Sequence, residues 1–215
     1  MKRVAVILSG SGVFDGSEIH EAVLTLLAID QNGGEYQIFA PDKYQHHVIN
    51  HITGDEMNEK RNILIESARI ARGDIKSLAL LNSDNFDALI IPGGFGAAKN
   101  LSSYAFKGPE MDIDKDFTKA VESFHKAGKP IGGLCITPVV LAKIINGATV
   151  TLGNNNDSVA HIDVVGGTHK DTTYGEVVYD KENNLFTTPC YMLDGSISEV
   201  YNGATNIVKE IFKHI

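Results

Sequence analysis

The stretch that most constrains this chain is Gly128-Lys129-Pro130-Ile131-Gly132-Gly133-Leu134-Cys135-Ile136-Thr137-Pro138-Val139-Val140-Leu141. It reads as a short buried strand that ends at a cysteine and turns at once into a helix, since two glycines lead in and Pro138 suits a first helical turn. A thiol on such a corner is held beyond the sheet edge at a helix N-terminus, where backbone N–H groups and the helix dipole favour thiolate. A free cysteine is also a common core hydrophobe. The rest of the chain therefore has to supply the partners that chemistry would need.

Upstream, Arg3 to Ser9 is a continuous apolar run, as expected of a strand covered on both faces. The loop Gly10 to Ser17 follows, and Asp15 or Ser17 can cap a helix starting near Glu18. Gly16 falls one position too late for a G-x-G-x-x-G phosphate cradle. From Glu18 to Gln31 the helix is apolar nearly all round, which predicts that it is largely buried. Glu21 shares a side with Leu24, Thr25 and Ala28, and a carboxyl carried into packing must find partners or take up a proton. Glu18 and Glu21 could equally ride at the helix N-terminus, where acids are favoured.

Glu35 to Ala40 reads as the next strand, giving a right-handed βαβ unit, and Asn62 to Arg72 as a second helix. Phe86 to Ile91 is a third buried strand that runs into Pro92-Gly93-Gly94-Phe95-Gly96, where glycines let the backbone approach another group and aim its N–H donors. A helix over Asp112 to Ala127 feeds the cysteine strand. Beyond it come a short strand at Ala148 to Gly153 and a polar link from Asn154 to Asp157, then a helix holding His161. A hairpin of Tyr174–Tyr179 with Leu185–Thr188 and a closing helix over Ser196 to Lys213 complete the pattern. This is an α/β fold with a mostly parallel central sheet, and residues 1–215 read as a single domain.

Charge narrows the function classes. Nineteen Lys and Arg against 27 Asp and Glu give a formal charge of −8, with no basic stripe to neutralise phosphates, so neither nucleic acid nor a membrane is an expected partner. No run approaches the ~20 apolar residues of a bilayer span. Two cysteines make no disulfide framework, and a cytoplasmic location fits best. His46, His47 and His51 have no second ligand cluster, so no metal is expected. The parts of a thiol site remain: Cys135 as nucleophile, an acid on the first helix as proton carrier, and the N–H groups of Gly94 and Ile136 as oxyanion donors.

On the runs Val6 to Gly10, Asp15 to Glu21, Phe39 to Asp42, Pro92 to Leu101, Gly133 to Pro138 and Thr187 to Pro189, the chain resembles the PfpI superfamily over essentially its whole length. Within it, the chain is similar to the ElbB-like, glyoxalase-type branch. The resemblance implies a flavodoxin-like three-layer sandwich of the class I glutamine amidotransferase type with a nucleophile elbow, often a homodimer. It implies an acid hydrogen-bonded to the elbow thiol and ranks Glu21 ahead of Glu18. Ile136 follows the cysteine where protease-like members have histidine, so amide hydrolysis is not expected; His169 is the late histidine kept as a candidate. The implied activity is conversion of glyoxal or a similar small 2-oxoaldehyde to a hydroxy acid, without cofactor, through a Cys135 hemithioacetal. The alternative is a redox-sensing or protein-interaction module built on an oxidisable Cys135.

Overall fold

A computed structural model describes residues 1–154 and 157–215. Its centre is β1 (Lys2–Ile7), whose side chains alternate between two cores because strand side chains point to opposite faces in turn. Val4, Val6 and Leu8 face one core; Ala5 and Ile7 face the other. The alternation continues in β4 (Ala88–Ile91), with Ala88 and Ile90 on the first side and Leu89 and Ile91 on the second. A strand with no water-facing side reads as an unbroken apolar run, which is why periodicity alone could not show two faces.

The helices cover these faces. On one lie α1 (Ile19–Gln31) and α8 (Ile197–Phe212), packed against each other. On the other lie α5 (Lys115–Lys126), which buries Phe117, Val121 and Phe124, and α6 (Thr137–Ile144). The remaining elements are β2 (Gly34–Ala40), α2 (Ile63–Ile70), β3 (Ile75–Ser77), α3 (Phe95–Lys99), α4 (Tyr104–Lys107), β5 (Ile131–Leu134), β6 (Thr149–Val150), α7 (Val159–Val164), β7 (Thr168–His169), β8 (Val178–Asp180) and β9 (Leu185–Thr188). Seven strands form one sheet in the order β3-β2-β1-β4-β5-β9-β8, parallel except for β8 at the edge, giving a flavodoxin-like three-layer α/β fold.

Strand order reverses between β1 and β4: the chain leaves β1 outward through β2 and β3, then returns to the other side. Open parallel sheets place their sites at the C-terminal strand ends near such a reversal. Here those ends deliver Ser9 and Gly10, Pro92 to Gly94, Cys135, and Thr188 to Tyr191.

Several expectations need correction. Helix α1 is capped by Glu18, whose carboxylate accepts the Glu21 N–H at 2.7 Å. Ser17 is engaged by the Ser9 N–H at 2.8 Å and Asp15 by the Ile49 N–H at 2.7 Å. Helix α1 is also less buried than its composition implies, because sheet and α8 cover only part of it, leaving Ile19, Val23 and Leu27 about 40 % exposed. The strand at Ala148 to Gly153 shortens to β6 and pairs with β7 outside the main sheet. Of the link from Asn154 to Asp157, residues 155 and 156 lie outside the described residues.

Phe117→Ala removes a fully buried ring from the α5 core. It is expected to cost about 3–5 kcal/mol in urea denaturation, while the folded fraction keeps the wild-type reactivity of Cys135.

Candidate active site

The corner after β5 is a strained turn. Cys135 has φ 59°, a left-handed conformation uncommon for a residue with a side chain, and its N–H donates to the Thr188 carbonyl at 3.1 Å. Ile136 stands at the N-cap of α6, and the Thr137 hydroxyl ties the turn to the Pro92 carbonyl at 3.1 Å. The sulfur accepts hydrogen bonds from the N–H groups of Gly94 and Ile136, which the sequence reading assigned to a substrate oxyanion.

Glycine is required beside it. A Cβ on Gly93 would overlap the Cys135 Cβ and lie 2.9 Å from Glu21 Oε2, and a Cβ on Gly94 (φ 93°) would overlap the Glu18 nitrogen. Freed of side chains, this turn locks to α1 in both directions. The Gly93 N–H donates to Glu21 Oε2 at 2.9 Å, and the Gly93 carbonyl accepts the Glu18 N–H at 3.0 Å.

Glu21 is completely buried and hydrogen-bonded to the Cys135 side chain, and its Oε1 accepts the Tyr191 N–H at 3.2 Å. Burial and, secondarily, the negative charge of Glu18 raise its carboxyl pKa to about 8, against the pull of these N–H donors. The Cys135 thiol is pushed up as well, first by burial and then by the Glu21 charge. This corrects the sequence argument for a standing thiolate. Two N–H donors do not outweigh desolvation of the thiol of a residue only 7 % exposed, next to an acid. The pair holds its protons at neutral pH and titrates as a unit.

Above the sulfur is a cavity of about 270 Å³ whose wall includes Cys135, Gly94 and Glu18, but not Glu21. The two acids thus divide: Glu21 lies behind the sulfur, and Glu18 faces the space a ligand would fill. Two tyrosines on that wall escaped the sequence reading. The Tyr104 hydroxyl is 2.7 Å from His161 Nδ1, and that of Tyr191 is 2.8 Å from His20 Nδ1. The signal for Tyr191 was its place just past β9, at the strand ends where sites form; for Tyr104 there was none.

His169, the histidine kept from the sequence, is partly buried in β7 and accepts the Leu152 N–H at 3.0 Å, away from the cavity wall. Cys190 is buried in a second strained turn, φ 41°, just before Tyr191. A larger surface depression of about 550 Å³ along Tyr44, His46 and Glu56 has no cysteine, serine or threonine on its wall. Among the described residues no cluster of His, Cys, Asp and Glu could hold a metal ion, and no helix is long and apolar enough to cross a membrane.

The sequence profile of the DJ-1/PfpI family matches residues 3–189. A human protein, the mitochondrial glutamine amidotransferase-like class 1 domain-containing protein 3, is 42 % identical over 221 residues, covering 98 % of this chain and 82 % of its own. The rat mitochondrial ES1 protein homolog is likewise 42 % identical, covering 98 % of this chain and 83 % of its own. The crystal structure of an isoprenoid biosynthesis protein with an amidotransferase-like domain from Ehrlichia chaffeensis superposes with a TM-score of 0.94 at 40 % identity, covering 100 % of this chain and 99 % of that one. The cytoplasmic expectation is overturned by the naming of the human and rat relatives as mitochondrial. Two cysteines without a disulfide framework do not identify a compartment.

A carboxyl whose folded pKa is about 8 against an ordinary 4.5 stabilises the fold below about 4.5 and loses that contribution as pH rises through about 8. Relative to Glu21→Gln, the wild type should therefore lose stability across that window, by an amount on the order of a few kcal/mol. Denaturant titrations of both proteins from pH 4 to 9 measure it; parallel profiles would mean that Glu21 ionises normally.

Proposed function

The chain belongs to the DJ-1/PfpI family, and we propose that within it this protein is a glyoxalase, converting a small 2-oxoaldehyde to a hydroxy acid by internal redox chemistry. The observation that carries the reading is the buried hydrogen bond between Cys135 and a carboxyl raised to about 8, at the base of a cavity that Cys135 itself lines. A base of that pKa is poised near neutrality, where it can take a proton from a thiol and give it back.

In this scheme the Cys135 sulfur adds to the aldehyde carbon as its proton passes to ionised Glu21, which returns it to the sulfur when the thioester is cleaved, and the aldehyde oxygen takes a proton from solvent to give a hemithioacetal. The N–H groups of Gly94 and Ile136 stabilise the sulfur and the oxygen charge that develops beside it. The C–H proton of that carbon then moves to the neighbouring carbonyl carbon by way of an enediol, leaving a 2-hydroxy thioester. One carbon is oxidised and its neighbour reduced, so the electron balance closes within the substrate. Sequence assigned this transfer to Glu21; its place behind the sulfur makes Glu18, on the cavity wall, the better-positioned carrier. Water cleaves the thioester, releasing the hydroxy acid and restoring the thiol.

The redox-sensor alternative draws less support. Thiolate is the form that attacks peroxide, and here the thiol is pushed up and almost fully covered. Amide hydrolysis has no imidazole on the elbow to serve it.

Cys135→Ala should cut hydroxy-acid formation from glyoxal by at least about 10³-fold with the fold intact by circular dichroism. Glu18→Gln should lower kcat by about 10²-fold. For the wild type, kcat/KM should rise with pH through about 8 as Glu21 becomes the base. Undiminished turnover in Cys135→Ala would end the mechanism.

A further inference from the structure

Glyoxal is too small for the space above Cys135. Its four heavy atoms take about 60 Å³, the room of roughly two waters at ~30 Å³ each, against about 270 Å³ of cavity. The surplus is lined by Val13, Phe95, Ala98, Ala105, Ile136 and Met192. Ligand sites of this kind bind the apolar body of a molecule and orient it with a few polar groups.

Those polar groups gather in few places. Glu18 and Cys135 belong to the reacting end, the hydroxyls of Tyr104 and Tyr191 are each held by a histidine, and Ser158, which also lines the cavity, is hydrogen-bonded to Tyr104. Among the described residues no lysine or arginine lines the cavity. The apolar wall runs outward through Phe95, 45 % exposed, into an adjoining depression with Phe14 and Ile49. Lys99 in that depression donates to the Phe14 carbonyl at 2.8 Å. A phosphate or carboxylate on the substrate would meet Glu18 with no cation among the residues that line the cavity, Lys99 standing over the Phe95 ring at 4.9 Å in the adjoining depression, so its desolvation would be poorly compensated.

We infer that the substrate is a 2-oxoaldehyde bearing an uncharged apolar group, aryl or branched alkyl, on its ketone carbon. This rests on the glyoxalase reading above and adds the identity of the substituent. The overall step is R–CO–CHO + H₂O → R–CH(OH)–COO⁻ + H⁺, with the aldehyde carbon oxidised and the ketone carbon reduced. For R = phenyl the molecule takes about 150 Å³ on the same scale, which the cavity holds with its aldehyde at the sulfur.

The test compares glyoxal, methylglyoxal, phenylglyoxal and 4-carboxyphenylglyoxal on the wild type, Cys135→Ala and Ala105→Phe, measuring hydroxy acid by chromatography. Ala105 is an exposed residue of α4 on the cavity wall, so a larger side chain there fills the cavity from the solvent side. Expected are Cys135-dependent turnover, kcat/KM for phenylglyoxal at least tenfold above glyoxal, and a drop of tenfold or more when the ring carries a carboxylate. In Ala105→Phe the phenylglyoxal-to-glyoxal ratio should fall at least fivefold. Cys135-dependent turnover of glyoxal with no gain for phenylglyoxal overturns the substituent and leaves the glyoxalase reading standing. Absence of Cys135-dependent turnover with all four aldehydes overturns both.

Discussion

A carboxyl closed off from water holds its proton unless something nearby favours its charge, and that constraint governs this site. Glu21 receives two backbone N–H donors, but it is completely buried and close to the charge of Glu18, so the proton stays to about pH 8. The neighbouring thiol is desolvated in the same way. What results is a pair protonated at rest, in which the thiol proton is taken only where Glu21 has ionised, a fraction that grows as pH rises through about 8. The nucleophile is made on demand, which is consistent with a sulfur that gathers two N–H donors but is otherwise shut away.

The rest of the fold is arranged to keep that pair together. The strand reversal between β1 and β4 brings the Cys135 corner, the glycine turn and the start of α1 to one end of the sheet. Reciprocal hydrogen bonds between Gly93 and the residues of α1 then fix acid to elbow. The left-handed conformation of Cys135 has a conformational cost. It is borne by a well-packed frame, since Val139, Val140, Leu141 and the β5 residues around the turn are fully or almost fully buried.

Much of this was legible in the sequence. The elbow was written in two glycines, a cysteine and a proline, and the parallel strands in unbroken apolar runs, because both features are local. The pairing of Cys135 with an acid on α1 was foreseen, with the choice of Glu21 resting on likeness to a family. What could not be read depends on contacts across the fold. Glu18 as the α1 cap, in place of Asp15 or Ser17, follows from the Ser9 and Ile49 N–H groups claiming those two side chains. The raised thiol required knowing how completely Cys135 is covered. The Tyr104–His161 and Tyr191–His20 pairs join residues 57 and 171 positions apart, and no spacing pattern marks them.

The claim beneath all of this is that Glu21 carries a proton at neutral pH. Infrared difference spectroscopy of the wild type against Glu21→Gln reads it directly, through the carbonyl stretch of a protonated carboxylic acid. The account predicts a band at pH 6 that is absent from the variant and disappears on titration with a midpoint of about 8. No such band at pH 6, or one whose midpoint lies near the ordinary 4.5, would contradict it.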